Sequence, residues 1–161
     1  MKEKYFNNKS LLALITDDFQ IDYKGEHGLT HWQDVYRNTQ ILAKHYDIEA
    51  DVFELFALLH DSKRENEYDD PAHGLRASVF VHELLRDGII SLSKEDSDRL
   101  ILACKYHNSY FKTDDLIVQI CLDSDKLDLG RVGIRIDTDY LLSDYARSLV
   151  EDGVYVYENR L

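Results

Sequence analysis

The spacing of apolar residues constrains the fold of this chain most strongly. Over most of the sequence these residues recur at intervals of three and four, which is the period of one face of an α-helix. Only one proline, Pro71, is present, and no repeat, low-complexity tract or Gly/Ser linker divides the chain. The sequence therefore predicts an all-α fold in a single domain, with a short alternating stretch at residues 154–157 that could be extended.

Start and stop signals predict seven helices within this pattern. Ser, Thr and Asp side chains can accept hydrogen bonds from the first free N–H groups of a helix, and glycine commonly follows its end. In chain order, the predicted helices are 10–18, a second that starts at a Thr30 and Gln33 capping box, 47–59, a fourth capped by Asp70 with Pro71 as its first residue and closed by Gly88, a fifth from Ser93, a sixth from Thr113, and a last over 138–151.

The charge and composition of the chain exclude several classes of function. Its 161 residues carry 31 Asp and Glu against 19 Lys and Arg, a formal net charge of -12, which argues against a nucleic-acid coat protein or a binder of anionic membranes. The apolar stretch at 11–15 is too short for a signal-peptide core, and no run approaches the roughly 18 residues of a membrane span. Cys104 and Cys121 lack CxxC spacing. We therefore expect a soluble cytoplasmic protein with two reduced, buried cysteines.

Six ionisable side chains occupy inward positions of this helical pattern. His60 follows the inner stripe of the third predicted helix by one turn, and Asp61 comes directly after it. The same spacing places four more side chains on inward faces: His31, His73, His107 and Asp125. A single inward histidine is usually a hydrogen-bonded core residue, and an aspartate after a helix is usually a cap. Buried carboxylates are costly without compensation, however, so the joint pattern favours a divalent metal site.

The order of these residues resembles the HD-domain superfamily of metal-dependent phosphohydrolases. The matching segments are HWQDVYRNTQILA, LFALLHDSKREN and ICLDSDKLDL, and the resemblance extends over about residues 26–135, leaving a C-terminal helix and tail at 136–161. It implies one HD-type helical bundle over residues 1–161. The subgroup with HGxxHW at the front and HDSxR at the HD pair matches best, and it includes small stand-alone proteins.

The resemblance also implies a ligand set. The metal ligands would be His31, His60, Asp61 and Asp125. Asp125 matches better than Asp123, because the family's last aspartate follows a small residue and precedes a basic residue and Leu. Family members that hold a second ion use two further histidines between the HD pair and that aspartate, and His73 and His107 stand in those positions.

Departures from other branches of the superfamily narrow the expected activity. The chain has neither tandem histidines nor a GYP element, so hydrolysis of cyclic dinucleotides by the HD-GYP route is not expected. No synthetase domain accompanies the motifs in these 161 residues, so an alarmone hydrolase-synthetase is not expected, and a stand-alone alarmone hydrolase is a minor alternative.

Imidazole and carboxylate ligands suit Mn, Fe, Zn, Co or Ni better than Mg, and one or two ions per chain are expected. Such an ion lowers the pKa of bound water from 15.7 toward about 7 and stabilises charge on phosphoryl oxygens. The candidate catalytic residues are Asp61, His27, which could protonate a leaving oxygen, and Arg64, which could bind phosphate together with Lys63. Alternatively, Lys63 and Arg64 are exposed cations that favour the helix macrodipole, and His27 is a structural loop residue.

Five other side chains receive simpler interpretations. We predict that Trp32 lies in the core and that Asp128 and Arg131, at i and i+3, form an ion pair on a helix surface. His45 and His82 lie among polar neighbours, and we assign them no role.

Together these features predict a phosphohydrolase that cleaves a phosphoester bond in a small phosphorylated metabolite or a nucleotide by metal-activated water. No nucleic-acid or membrane partner is expected, and the oligomeric state stays open. Two alternatives remain: a non-catalytic sensor or scaffold that holds the metal structurally, and a di-iron oxygenase of the same fold.

Overall fold

The computed structural model describes residues 3–155, which form α-helices and two short 3-10 helices and contain no strand. The predicted all-α fold is confirmed. None of the described helices combines the length and the apolarity that a bilayer crossing requires. The α-helices are α1 (Lys9–Asp17), α2 (Leu29–His45), α3 (Asp51–Leu59), α4 (His73–Arg86), α5 (Lys94–Tyr106), α6 (Leu116–Lys126) and α7 (Asp144–Glu151), and the 3-10 helices are Leu129–Val132 and Thr138–Tyr140.

Side-chain caps explain where several helices begin and end. The predicted start at Ser93 is confirmed, because its hydroxyl accepts the Asp96 N–H at 3.1 Å. The predicted stop at Gly88 is also confirmed, since this glycine follows α4 with a φ of 68°. The first helix agrees with its prediction to within one residue, and Asn8 caps it by accepting the Leu11 N–H.

The predicted starts of α2 and α3 are wrong. Gly28 occupies the cap position of α2, so Thr30 lies inside the helix and forms no capping box. A Cβ at Gly28 would lie 2.0 Å from the Tyr23 carbonyl oxygen, and glycine therefore permits the tight turn that precedes α2. Asp47 has a φ of 56°, outside the helical region, so α3 begins four residues later than predicted, at Asp51.

The predicted starts of α4 and α6 are wrong as well. Asp70 does not cap α4, because that helix begins at His73. The Asp70 carboxylate instead accepts the Glu65 N–H and pairs with Arg76 at 2.6 Å. The cap of α6 is Asp115 rather than Thr113, because the Asp115 carboxylate accepts the first free N–H groups of that helix.

The last predicted helix is two separate elements. Residues 138–140 form a 3-10 helix, and α7 starts only at Asp144. A buried carboxylate on α6 causes this break: Asp123 accepts the N–H groups of Leu142 and Ser143, both at 2.8 Å, and the Ser143 hydroxyl. The possible strand at 154–157 is absent at residues 154 and 155, which form a bend, and its remainder lies outside the described residues.

The third helix, α3, is the centre of the bundle, and it places the HD pair, His60 and Asp61, in the interior. All of its residues from Val52 to Leu59 are buried. It packs against α2, α5 and α6, while α4 packs against α5. Trp32 has no exposed surface, as predicted for a core residue, and both cysteines are free and buried. His60 and Asp61 directly follow α3 and are therefore buried among the surrounding helices.

Gly74 permits the close approach of α4 and α5. A Cβ at this position would lie 2.6 Å from the Asn108 side-chain oxygen and 2.8 Å from the Lys105 carbonyl oxygen. Because the contact on one side is backbone, a larger residue would push the helices apart. The close packing brings His73, at the start of α4, beside His107, at the end of α5.

Candidate metal centre

The six predicted ligands come from five helices or helix ends and meet in one place. His31 lies in the first turn of α2, His73 begins α4, His107 follows α5, and Asp125 lies in the last turn of α6. The four histidines and Asp61 are buried, and the side chain of Asp125 is 19% exposed. Because the ends of several helices converge here, the cluster is buried without being sealed from the surface.

The first group surrounds the facing imidazoles of His31 and His60. Their Nε2 atoms lie 3.0 Å apart. Asp125 Oδ1 is 3.3 Å from the His31 nitrogen and 3.6 Å from the His60 nitrogen, and Asp61 Oδ2 is at 3.5 and 3.7 Å from the same two atoms. Metal–nitrogen bonds of about 2.0–2.1 Å at right angles place two ligand nitrogens about 3 Å apart, so this spacing suits two ligands of one ion.

The second group has the same form. The Nε2 atoms of His73 and His107 lie 2.8 Å apart. Asp61 Oδ1 is 3.2 Å from the first nitrogen and 3.3 Å from the second. Asp61 therefore stands between the groups, with one carboxylate oxygen facing each pair of histidines.

Each of the four histidines turns its other ring nitrogen, Nδ1, toward a hydrogen-bond acceptor outside the cluster. A neutral ring that donates from Nδ1 leaves Nε2 as a bare lone pair. The acceptors are Asp128 Oδ2 for His31 at 2.7 Å, the Phe56 and Ala57 carbonyls for His60 at 3.1 Å, the Asp70 carbonyl for His73, and the Cys104 carbonyl for His107 at 2.8 Å.

The donor set fits a divalent cation. Four nitrogen lone pairs and two carboxylates face one another, and this arrangement is repulsive unless a cation lies among them. Without a metal, protons must supply the charge: burial lowers the pKa of His31, but contacts with Asp125 and Asp128 outweigh it and raise that pKa to about 9. Burial raises the pKa of Asp61, yet the surrounding histidines hold it well below its usual range. The mixture of imidazole and carboxylate suits first-row transition metals.

Asp125 and Asp123 have different environments. Asp125 contacts the cluster, whereas Asp123 is directed to the chain that precedes α7, where its carboxylate accepts backbone N–H groups. Burial raises the pKa of Asp123 despite these contacts. The structure thus brings Asp125, and not its neighbour, to the histidines.

His27 reaches the cluster from the turn before α2. Its Nδ1 lies 3.0 Å from Asp61 Oδ2, and its Nε2 lies 3.9 Å from the carboxylate of Glu67. Arg131 holds this turn, because its guanidinium donates to the Glu26 carbonyl at 2.8 Å and lies 3.4 Å from His27 Nδ1. The histidine is therefore positioned between the predicted ligands and the surface.

The two cations after the HD pair have different surroundings, and the view of both as exposed helix-end cations is wrong. Arg64 is buried: its guanidinium donates to the carbonyls of Asn66 and Tyr68 and lies 3.2 Å from His73 Nε2. Lys63 is directed away from the cluster, where its ammonium pairs with Asp18 at 2.6 Å and lies over the Phe80 ring.

A cleft of about 400 Å³ opens above the cluster. Three cations line it, namely Arg64, Lys126 and Arg131, and burial lowers the pKa of Lys126. Two exposed tyrosines, Tyr110 and Tyr140, also line the cleft and contact each other edge to face at 5.8 Å. The full set of lining residues is His27, Asp61, Arg64, His73, His107, Asn108, Ser109, Tyr110, Asp125, Lys126, Leu129, Arg131 and Tyr140.

The surface ion pair predicted for Asp128 and Arg131 is wrong in its setting. Asp128 is buried, and its nearest partner is His31 rather than Arg131, whose Nη1 is 3.4 Å from the carboxylate. Both residues lie beside the cluster, and neither was identified as a site residue from the sequence. The spacing of three residues from Asp125 to Asp128 was the signal that could have placed the second carboxylate beside the first.

Neither the known protein-family models nor the curated proteins include a match to this chain. Among solved structures, the fold matches the crystal structure of a predicted HD superfamily hydrolase from an uncultured Thermotogales bacterium, with a TM-score of 0.64. The two chains are 22% identical, and the match covers 89% of this chain and 83% of the other. This protein therefore has the HD-type helical fold.

Proposed function

We propose that this protein is a metal-dependent phosphohydrolase of the HD superfamily, which hydrolyses a phosphoester bond of a small phosphorylated compound. The observation that carries the proposal is the arrangement at the base of the cleft, where two pairs of facing imidazole nitrogens, 3.0 and 2.8 Å apart, flank the carboxylate of Asp61. The order of the motifs and the HD-type fold support the superfamily assignment.

The proposed ligands of one ion are His31, His60, Asp61 and Asp125, and those of a second are His73, His107 and the other oxygen of Asp61. A divalent ion bound by such residues supplies a water of lowered pKa and positive charge for phosphoryl oxygens. The other proposed roles, binding of phosphate and donation of a proton, belong to side chains that line the cleft.

Local positive charge supports an anionic substrate in a protein whose net charge is -12. The cations Arg64, Lys126 and Arg131 all face the cleft that contains the cluster. At short range these groups outweigh the distant acidic surface, because exposed charges are screened beyond about 8–10 Å at ordinary ionic strength. We assign phosphate contact to Arg64, whose guanidinium group can bind phosphate through two parallel hydrogen bonds.

His27 is the proposed proton donor to the leaving oxygen. It lines the cleft, and contact with Asp61 on one side and the Arg131-held turn on the other fixes its position. A positioned imidazole near neutral pH is an effective general acid. The position of His27 in the lining of the cleft supports this role.

The two tyrosines favour a nucleotide over a phosphorylated compound that lacks an aromatic base. Tyr110 is 62% exposed and Tyr140 is 53% exposed, although both line the cleft and their rings contact each other. Exposed aromatic faces beside a phosphate-binding cleft can stack on a nucleobase, and each stacked base contributes about 1–3 kcal/mol. The leaving group of the proposed substrate would carry the base.

Elemental analysis of protein purified without added metal, followed by hydrolysis assays, tests this function. The assays would use a nucleoside monophosphate, the matching sugar phosphate and phosphodiesters, with protein reloaded separately with Mn, Fe, Zn, Co, Ni or Mg. We expect bound transition metal, phosphate release, and faster turnover of the nucleotide. Asp61→Asn should abolish both metal binding and turnover, whereas Asp18→Asn, outside the cleft, should change neither.

Other outcomes would contradict this function. Tight metal binding without turnover of any phosphoester supports the sensor or scaffold, and bound iron with oxygen-dependent turnover supports the oxygenase. Stoichiometry tests the two-ion arrangement: two ions per chain should fall toward one in His73→Ala and in His107→Ala. One ion in the native protein at saturating metal, unchanged in both variants, would contradict the second site alone.

A further inference from the structure

Asp128 is a buried carboxylate that has no assigned role in the proposed chemistry. It follows α6 by two residues, and its side chain is 10% exposed. Its Oδ2 atom lies 2.7 Å from His31 Nδ1, although the two residues are far apart in the chain. A carboxylate buried to this degree needs a specific partner, and the contact with His31 supplies one.

Arg131 is a weaker partner of the same carboxylate. Its Nη1 is 3.4 Å from Asp128 Oδ2, whereas it donates to the Asp128 carbonyl at 3.1 Å and its Nε donates to the Glu26 carbonyl at 2.8 Å. The guanidinium of Arg131 therefore mainly links the turn before α2 to the segment after α6. The carboxylate is left to bind the imidazole.

Among the four histidines of the cluster, His31 alone has a carboxylate on its Nδ1 side. The Nδ1 atoms of His60, His73 and His107 each face backbone carbonyls instead. A carboxylate that accepts the Nδ1 proton orients the ring, fixes the tautomer and makes Nε2 a stronger donor to a metal, more so than a neutral carbonyl does.

We propose that Asp128 is a positioning residue of the metal centre, which holds His31 with its Nε2 directed at the ion and strengthens that nitrogen as a ligand. The inference rests on the proposed metal-binding function. It also gives the short Asp125-Lys126-Leu127-Asp128 segment two tasks, because one carboxylate would bind the ion directly and the other would act through His31.

Two measurements on three variants test this role. Zn²⁺ affinity is measured by competition with a chromophoric chelator, and the His31 Nδ1 proton is observed by ¹H–¹⁵N NMR in metal-free and Zn²⁺-loaded protein. Asp128→Ala should weaken Zn²⁺ binding about 10–100-fold and remove the downfield, slowly exchanging Nδ1 proton. Asp128→Asn keeps an oxygen acceptor of the same shape without the charge, so it should retain that proton and show an intermediate affinity.

Asp34→Ala is the matched control, because Asp34 is as buried as Asp128 but pairs with Arg37 instead of a histidine. It should leave both Zn²⁺ affinity and the Nδ1 proton unchanged. Native Zn²⁺ affinity in a folded Asp128→Ala or Asp128→Asn variant would overturn the role, and so would an unchanged Nδ1 proton in a folded Asp128→Ala variant. If the native protein binds no metal, the proposed function fails, yet the Nδ1 proton of the metal-free protein still tests whether Asp128 holds His31.

Discussion

Asp123 and Asp125 lie two positions apart on α6, so one pair of substitutions separates folding from metal binding. Asp125→Asn should greatly weaken metal binding while leaving the metal-free protein about as stable as the native chain. Asp123→Asn should retain metal stoichiometry but lower the free energy of unfolding by about 1–3 kcal/mol, because an amide cannot accept all the N–H and O–H groups that reach Asp123. Chemical denaturation and metal titration of both variants check this. The reverse pattern would mean that Asp123 is the ligand.

Arg64 and Lys63 are adjacent cations that provide a second matched comparison. Arg64 lines the cleft and Lys63 pairs with Asp18 outside it. Arg64→Ala should raise KM for a phosphorylated substrate about 10–100-fold, the loss of a charged hydrogen bond of about 1.5–3 kcal/mol, while metal content stays constant. Lys63→Ala should leave KM unchanged and affect stability by less than about 1 kcal/mol. Steady-state kinetics and metal analysis of the two variants check this. An unchanged KM in Arg64→Ala would limit the role of Arg64 to its hydrogen bonds with the carbonyls of residues 66 and 68.

At the scale of an element, Asp115 links the start of α6 to α5. Its carboxylate accepts two N–H groups of α6 and pairs with Arg99 on α5 at 2.8 Å. Burial raises the pKa of Asp115, but the contacts with Arg99 and the helix N–H groups outweigh it and hold that pKa below its usual range. A lowered pKa in the folded state gives stability that is present above the unfolded value near 4 and is lost as the pH falls through the folded value.

The pH dependence of an Asp115 variant follows from this sign. Asp115→Ala should cost about 0.5–2 kcal/mol at neutral pH, the usual effect of losing a helix cap. The difference between native protein and variant should shrink as the pH falls below about 4. Urea denaturation from pH 7 to pH 3 measures it, with Asp114→Ala, the preceding residue on the same segment, as the control. A difference that stays constant over this range would contradict a role for the ionised carboxylate.

At the scale of the whole molecule, the proposed metal centre joins α2, the end of α3, and helices α4, α5 and α6. Any ion that binds only the folded chain stabilises it by mass action, about 2.7 kcal/mol at 100 times Kd. For a chain of this size, that corresponds to a rise in Tm of about 5–11 °C. Removal of metal with EDTA should therefore lower Tm, and Asp61→Asn should lose this response. An equal response in Asp61→Asn, measured by calorimetry, would show that the ions bind elsewhere.

The helix faces could be read from the chain because periodicity is a local property. Apolar residues three and four positions apart define one side of a helix wherever that helix packs, so the inward positions of His31, His60, His73, His107 and Asp125 follow from spacing. The starts of α2, α3, α4 and α6 were less predictable, since several Asp, Thr and Gly residues compete to begin each helix. A side chain caps a helix only if the neighbouring parts of the chain do not engage it elsewhere, as Glu65 and Arg76 engage Asp70.

Contacts between remote segments were decided only by the tertiary structure. Asp128 meets His31, Lys63 meets Asp18, and Asp123 meets the chain before α7, and no period within one helix encodes any of these pairs. Arg64 likewise becomes a buried residue of the cleft because the loop that follows it folds back onto its guanidinium. Local spacing determines which side of a helix a residue occupies, whereas the packing of helices against one another determines which groups it meets there.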